Sequence, residues 1–206
     1  MILVKYYRKL LRFPINYINR RKLKNRNFTI ISSNCVGGVI THELGLKFNS
    51  PTINLFFYPK DYIKFVSNLK HYIFYSELIE ENFNDVLYPV GRLDDILIHF
   101  VHYKNFDDAK KKWKQRCKRI NWDNLFFIMV ERDGCTKTEL INFEKLSYKN
   151  KVVFTAQKYH EIKSSYHIAG TEYSNFEVID LCLYKKLSVK RWIDGFDYVR
   201  FLNQGN

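Results

Sequence analysis

A chain of 206 residues with 46% hydrophobic and 17% aromatic positions is long enough for one substantial core and too apolar for a disordered polymer. A formal net charge of +13 favours acidic partners: phosphates, anionic lipid head groups, acidic glycans or nucleic acid. Nucleic acid is disfavoured, because zinc-finger spacing, a helix-turn-helix signal and an RNP-type aromatic run are all missing from the sequence. Cys35, Cys117, Cys135 and Cys182 form no C-x-x-C pair and have no His neighbours at metal-ligand spacing, which speaks against a structural zinc site or a disulfide framework and for a reducing compartment.

In chain order, Leu3, Val4, Tyr7, Leu10, Leu11, Ile15 and Ile18 recur at helical spacing, in two pieces broken at Pro14. Arg20, Arg21, Lys22, Lys24 and Arg26 follow. Residues 1–26 thus read as a basic helical segment ahead of a single α/β domain at 27–206. The commoner fate of such a segment is a terminal helix packed on the domain with its charges in water. The alternative is peripheral contact with an anionic membrane. No apolar run approaches the ~20 residues of a spanning helix, and no signal-peptide core is present, so the expected location is cytoplasmic, with the inner face of the cell membrane as the place of any contact.

Residues 27–46, NFTIISSNCVGGVITHELGL, organise the rest. Residues 28–31 read as a short buried strand, 32–38 as a polar turn with two glycines, and Val39 onward as a helix. A strand–turn–helix run aims free backbone N–H groups and the positive helix end at whatever sits over the turn, a field that favours the thiolate of Cys35. Further expected elements are a strand at 52–57, a helix at 59–75, a turn at 88–91 and an alternating strand at 96–103. A helix at 105–120 follows, with Asn105 as N-cap and Asp107 and Asp108 in its first turn. Residues 125–130 form an apolar strand of the kind covered on both faces. Thr136 and Glu139 make a capping box, and 151–155 is the next strand. A last strand at 177–183 and a terminal helix at 188–202 close the chain. The expected fold is α/β, three-layer, with a mainly parallel sheet flanked by helices and with helical appendages at both ends.

In such sheets ligands bind beyond the carboxyl ends of the strands. That rule selects Ser33, Asn34, Cys35, Gly37 and Gly38 after the first strand, Lys60 and Asp61 after the second, His102 and Tyr103 after the third. Glu131, Arg132 and Asp133 follow the fourth, and His160 the fifth. Three readings compete. In one, Cys35 is a nucleophile with His102 as its base. In another, the 32–38 turn cradles a phosphate, with Glu131 and Asp133 available to a divalent metal beside a nucleotide-sugar diphosphate, although neither G-x-G-x-x-G nor a Walker pattern is present. In the third the crevice only binds, and Trp113 with Arg116 and Arg119 clamps an acidic group; more commonly such a Trp is a core anchor.

The phrases Thr29-Ile30-Ile31-Ser32-Ser33-Asn34-Cys35 with Gly37-Gly38, Ser50-Pro51-Thr52-Ile53, Tyr88-Pro89-Val90-Gly91, His99-Phe100-Val101-His102-Tyr103, Lys112-Trp113 with Arg116, and Arg119-Ile120-Asn121 resemble an uncharacterised bacterial domain-of-unknown-function family found in capsule and exopolysaccharide gene clusters. The resemblance spans residues 28–159 and implies a role in cell-surface polysaccharide production, without an established reaction. A Cys at a helix start followed by a His-bearing strand is also similar to a second uncharacterised group described as papain-like peptidases, but no Asn or Asp to orient the imidazole is assignable. The leading expectation is a transferase or modifying enzyme acting on a sugar, nucleotide-sugar or glycan intermediate, with Cys35, His102 and Asp133 as its chemical centre. A Cys35-dependent hydrolase or acyltransferase and a non-catalytic binding or scaffold protein are the alternatives.

Overall fold

The computed structural model describes residues 2–173 and 175–204. In chain order the elements are α1 (Ile2–Lys22), β1 (Thr29–Ser32), α2 (Val36–Glu43), α3 (Pro59–Ser67), α4 (Leu69–Phe74), β2 (Leu78–Glu81), β3 (Val90–Leu93) and β4 (Ile96–His99). Then come α5 (Phe106–Cys117), β5 (Leu125–Val130), α6 (Lys137–Lys145), β6 (Lys151–Thr155), β7 (Ser165–His167), a 3-10 turn at Trp192–Gly195 and α7 (Tyr198–Asn203). Four strands form a parallel sheet in the order β1-β5-β6-β7, and three form an antiparallel sheet in the order β2-β3-β4.

The expected α/β class with a helix-flanked parallel sheet is present. β5 sits inside that sheet, and its side chains alternate between two cores. Phe127 and Met129 face Phe65, Trp113 and Phe143, while Phe126, Ile128 and Val130 face Val36, Ile40, Tyr198 and Leu202. Both faces of the strand are covered, which is why its sequence is apolar without interruption. The capping box at Thr136 and the Asn105 cap of α5 form as read, with Asn105 Oδ1 accepting from the Asp108 N–H at 2.9 Å.

Several expected elements differ. Residues 52–57 are not a regular strand. They form a joint in which Phe56 bridges His99, and the Phe57 N–H donates to the Ser33 carbonyl at 2.9 Å. This joint ties the antiparallel sheet to the exit of β1. The 88–91 turn is the start of β3, where Gly91 admits close packing: a Cβ there would stand 2.7 Å from Leu78 Cδ1 and 3.0 Å from Phe100. The 59–75 helix is broken at Asn68, whose φ of −134° leaves the helical region. The strand expected at 96–103 stops at His99, and residues 177–183 contribute only a bridge from Val178 to Glu172. At the carboxyl end, the 188–202 helix is reduced to the 3-10 turn and α7.

At the amino end, α1 is one helix running through Pro14. Pro14 is on the exposed side of the helix, where the backbone hydrogen bond its ring removes costs least. The helix is fastened to the body by its polar side. Arg12, 2% exposed, donates Nε to Glu43 at 2.8 Å and Nη1 to Asp194 at 2.7 Å, its Nη2 reaching the second oxygen of each carboxylate. Asn19 Nδ2 adds a bond to the Tyr198 hydroxyl at 2.8 Å. No helix among the described residues is long and apolar enough to cross a membrane.

Candidate functional site

The parallel register of Ser32 with Ile128 sets the exits of β1 and β5 side by side. The turns that follow them therefore share one mouth. A cavity of about 220 Å³ opens there, lined by Asn34, Cys35, Phe56, Val101, His102, Arg132, Asp133 and Asp180. Cys35, His102 and Asp133 thus meet at one place. His102 arrives by a route the sequence did not suggest: it follows β4, which belongs to the antiparallel sheet and is held there through the Phe56–His99 bridge.

The turn itself is tightly packed. Val36 N–H donates to Asn34 Oδ1 at 3.1 Å and Gly37 N–H to Ser32 Oγ at 3.3 Å, so these two donors of the α2 N-terminus are already engaged. Gly37 and Gly38 are buried, and a Cβ at Gly37 would stand 2.8 Å from both Ile30 Cγ2 and Ser32 Cβ. Gly37 is thus required by the close approach of α2 to β1. Ser33, also buried, accepts from the Val130 N–H at 3.3 Å. The phosphate cradle expected at this turn is thus left with fewer free N–H groups than the sequence implies.

Cys35 is half-buried, with Sγ 3.9 Å from the Leu55 carbonyl oxygen. Burial pushes its thiol up to about 11, Asp180 adds to the rise, and Arg132 opposes it. The expected thiolate-favouring field of the helix start is outweighed by desolvation. Because the folded-state value exceeds the ordinary one, this group weakens the fold as pH climbs toward about 11 and has no effect in the neutral range. At pH 7 Cys35 should react with iodoacetamide about 100-fold more slowly than an unhindered cysteine, since the thiolate is the reactive form. Peptide-mapped alkylation from pH 7 to 10 would measure this. A neutral-pH rate equal to that of free cysteine would contradict the burial argument.

On the opposite wall Asp133 adopts φ 58°, a left-handed conformation that Asp tolerates better than most residues. Arg132 Nε donates to Asp133 Oδ2 at 3.2 Å. Burial raises the Asp133 carboxyl, with Arg132 pulling the other way and Glu177 and Asp180 reinforcing the rise. Asp180, which sequence reasoning missed, comes from the tail. It is placed by the Val178 N–H donating to the Glu131 carbonyl at 2.7 Å, and its Oδ1 accepts from the Cys182 N–H at 2.8 Å. That pairing is made across more than forty residues, and no spacing in the sequence marks it.

Other expected site residues have structural duties. Glu131 is buried, with Oε2 accepting from the Ala156 N–H and Oε1 from the Tyr159 hydroxyl, both at 2.7 Å. Its two oxygens tie the exits of β5 and β6 together, so Glu131 and Asp133 do not act as a pair. Among the described residues there is no group of three or more His, Cys, Asp or Glu side chains that could hold a metal ion. Asp61 lies on α3, with Oδ2 accepting from the Leu97 N–H at 3.4 Å, away from the cavity lining. Tyr103 bonds the Ile53 carbonyl at 3.3 Å and accepts from Arg116 Nη1 at 2.6 Å behind the joint. His160 is exposed and outside the lining.

An aromatic wall completes the mouth. Phe56 stacks on His99 with ring centroids 4.6 Å apart, and Tyr58 and Tyr88 meet the same imidazole edge-on at 5.0 and 5.8 Å. Both His99 ring nitrogens are buried without a hydrogen-bond partner, and desolvation lowers its basicity, which keeps the ring neutral. Tyr88 also feels the charge of Asp133, so this wall adjoins the acidic side of the cavity.

Residues 6–203 match the family described as Domain of unknown function (DUF1919). The chain belongs to that family. The match takes in most of α1 and the tail that supplies Asp180, both outside the 28–159 stretch that carried the resemblance. The chain is also similar to an uncharacterized protein of Haemophilus influenzae, 41% identical over 192 residues that cover 93% of this chain and 92% of that protein.

Proposed function

We propose that this chain is a transferase or modifying enzyme acting on a sugar, nucleotide-sugar or glycan intermediate of cell-surface polysaccharide biosynthesis, in the cytoplasm, with the cavity at the β1 and β5 exits as its centre. The supporting observation is the convergence of Asp133, Asp180, Arg132 and His102 in one cavity that adjoins the Phe56–Tyr58–Tyr88 wall. Carboxylates and guanidinium groups hydrogen-bond hydroxyls and phosphates, while aromatic faces pack on the C–H faces of a sugar ring. A volume of about 220 Å³ is below the ~300–1,000 Å³ of drug-sized sites. It suits one ring, with the remainder of a nucleotide-sugar lying over the mouth.

In this reading Arg132 faces an anionic group and Asp133, raised by burial, takes a proton from an acceptor hydroxyl. The resemblance to a family from capsule and exopolysaccharide clusters supplies the envelope context. The alternative, Cys35-dependent hydrolysis or acyl transfer, is supported by Cys35 and His102 lining the same cavity and opposed by the raised thiol.

Thermal unfolding with a panel of nucleotide-sugars, with and without Mg²⁺, tests the proposal. At a hundredfold excess over its dissociation constant a true ligand should add about 2.7 kcal/mol of stability. Asp133→Asn should abolish that gain while Cys35→Ala retains it. No stabilisation by any sugar or nucleotide-sugar would sink the enzyme reading and leave the scaffold account standing.

A further inference from the structure

α1 is mounted with its polar side inward. Arg12, Asn16 and Asn19 face the body, while Tyr7, Leu10, Leu11, Pro14, Tyr17 and Ile18, spaced i, i+3, i+4, i+7, i+10 and i+11, form one stripe on the outside. Leu10 is 74% exposed, and Phe13 flanks the stripe, stacked on Tyr17 with centroids 6.2 Å apart. A packed amphipathic helix normally has the reverse arrangement, with its apolar stripe against the core. Here the inward position is held by the Arg12–Glu43–Asp194 cluster, so the apolar stripe is fixed in water by design of the buried ions.

The charge around the stripe identifies its occupant. Residues 1–26 carry nine Lys or Arg and no Asp or Glu. Arg21 continues the stripe by one turn, its guanidinium 5.9 Å from the Tyr17 ring centroid, and Lys22, Lys24 and Arg26 are exposed beyond it. A second copy of this chain would bring one acid-free cationic helix against another, a like-charge contact. A surface of anionic lipid satisfies both features at once: apolar side chains enter the acyl boundary, and cations meet the head groups. We propose that the outer face of α1 docks this protein on an anionic membrane, lying in the interface plane without spanning it. This docking is independent of what the cavity binds.

The test is flotation of the full chain with vesicles of phosphatidylcholine alone and of phosphatidylcholine mixed equally with phosphatidylglycerol. Binding to the anionic vesicles, weakened by high salt, is expected, with little binding to the neutral ones. Leu10→Ser with Leu11→Ser should leave the melting temperature unchanged and lower the vesicle partition about tenfold or more. Arg21→Glu with Lys22→Glu, which touches no core side chain, should lower it by about tenfold as well. Failure to float with anionic vesicles would overturn the proposal, as would equal flotation of the double-serine variant. A dimer in sedimentation velocity that the double-serine change converts to monomer would assign the face to a second copy instead.

Discussion

Replacing Arg12 by alanine is expected to lower the unfolding free energy by about 3–5 kcal/mol, because two buried carboxylates then lose the cation between them. Glu43 and Asp194 are both nearly inaccessible, and Arg12 bonds each of them as well as the Val189 carbonyl. Burial by itself would lower the basicity of this guanidinium, yet the bonds to Asp194 and Glu43 raise it, so it stays charged. The Arg191 guanidinium also reaches Glu43, at 2.6 Å, and offsets part of the loss there, while Asp194 keeps only the Arg191 backbone N–H, at 2.6 Å, and no cation. Urea unfolding of Arg12→Ala, compared with Arg12→Ala in an Asp194→Asn background, measures the effect, because Asp194 is the carboxylate left without a cation. The second background should recover part of the lost stability, since one uncompensated charge has been removed. A loss below about 1 kcal/mol would mean that α1 is not fastened by this cluster and that its outward stripe is not imposed by it.

Replacing Trp113 by alanine should cost about 3–5 kcal/mol, the usual range for emptying a large aromatic site in a core. Trp113 is buried on α5, with its ring centroid 6.0 Å from Phe65 and 6.4 Å from Phe100. Of the two roles its sequence neighbourhood allowed, the core anchor is the one it fills. Arg116, three residues on, is buried too and donates Nη1 to the Ile53 carbonyl at 3.2 Å and to the Tyr103 hydroxyl at 2.6 Å. The clamp of arginines on a free acidic ligand therefore gives way to a brace beneath the 52–57 joint. Chemical denaturation of Trp113→Ala is the direct measurement. A change within ~0.5 kcal/mol, as for an ordinary surface site, would contradict this placement.

The local elements legible in the sequence are those whose cause is local. β5 and β6 stand out as apolar runs, and α5 and α6 carry side-chain caps within three residues of their starts. β1 followed by a polar turn and a helix is equally plain, although α2 starts at Val36 rather than Val39 and takes both glycines into its first turn; the strand-exit rule then brings Cys35, Arg132 and Asp133 to one mouth, because β1 and β5 are parallel neighbours. By contrast, β2 and β3 are short and partly exposed, and the loop between them mixes Asn82, Asn84 and Asp85 with Phe83, Val86 and Leu87, so no alternation in the sequence marks where the strands begin or end. Glu131 looked like Asp133 in sequence, yet one carboxylate lines the cavity and the other fastens two strand exits.

From its residues alone, this protein is determined to be a basic α/β chain with a strand–turn–helix at its centre and a cationic amphipathic start. Periodicity, caps and charge count act over a few residues and survive without knowledge of the fold. Which side of α1 faces water, whether Cys35 is thiol or thiolate, and the arrival of Asp180 from the tail were decided only by tertiary structure. Each depends on burial and on ions or backbone groups brought together from distant parts of the chain, and desolvation has no value until the fold has set who is next to whom.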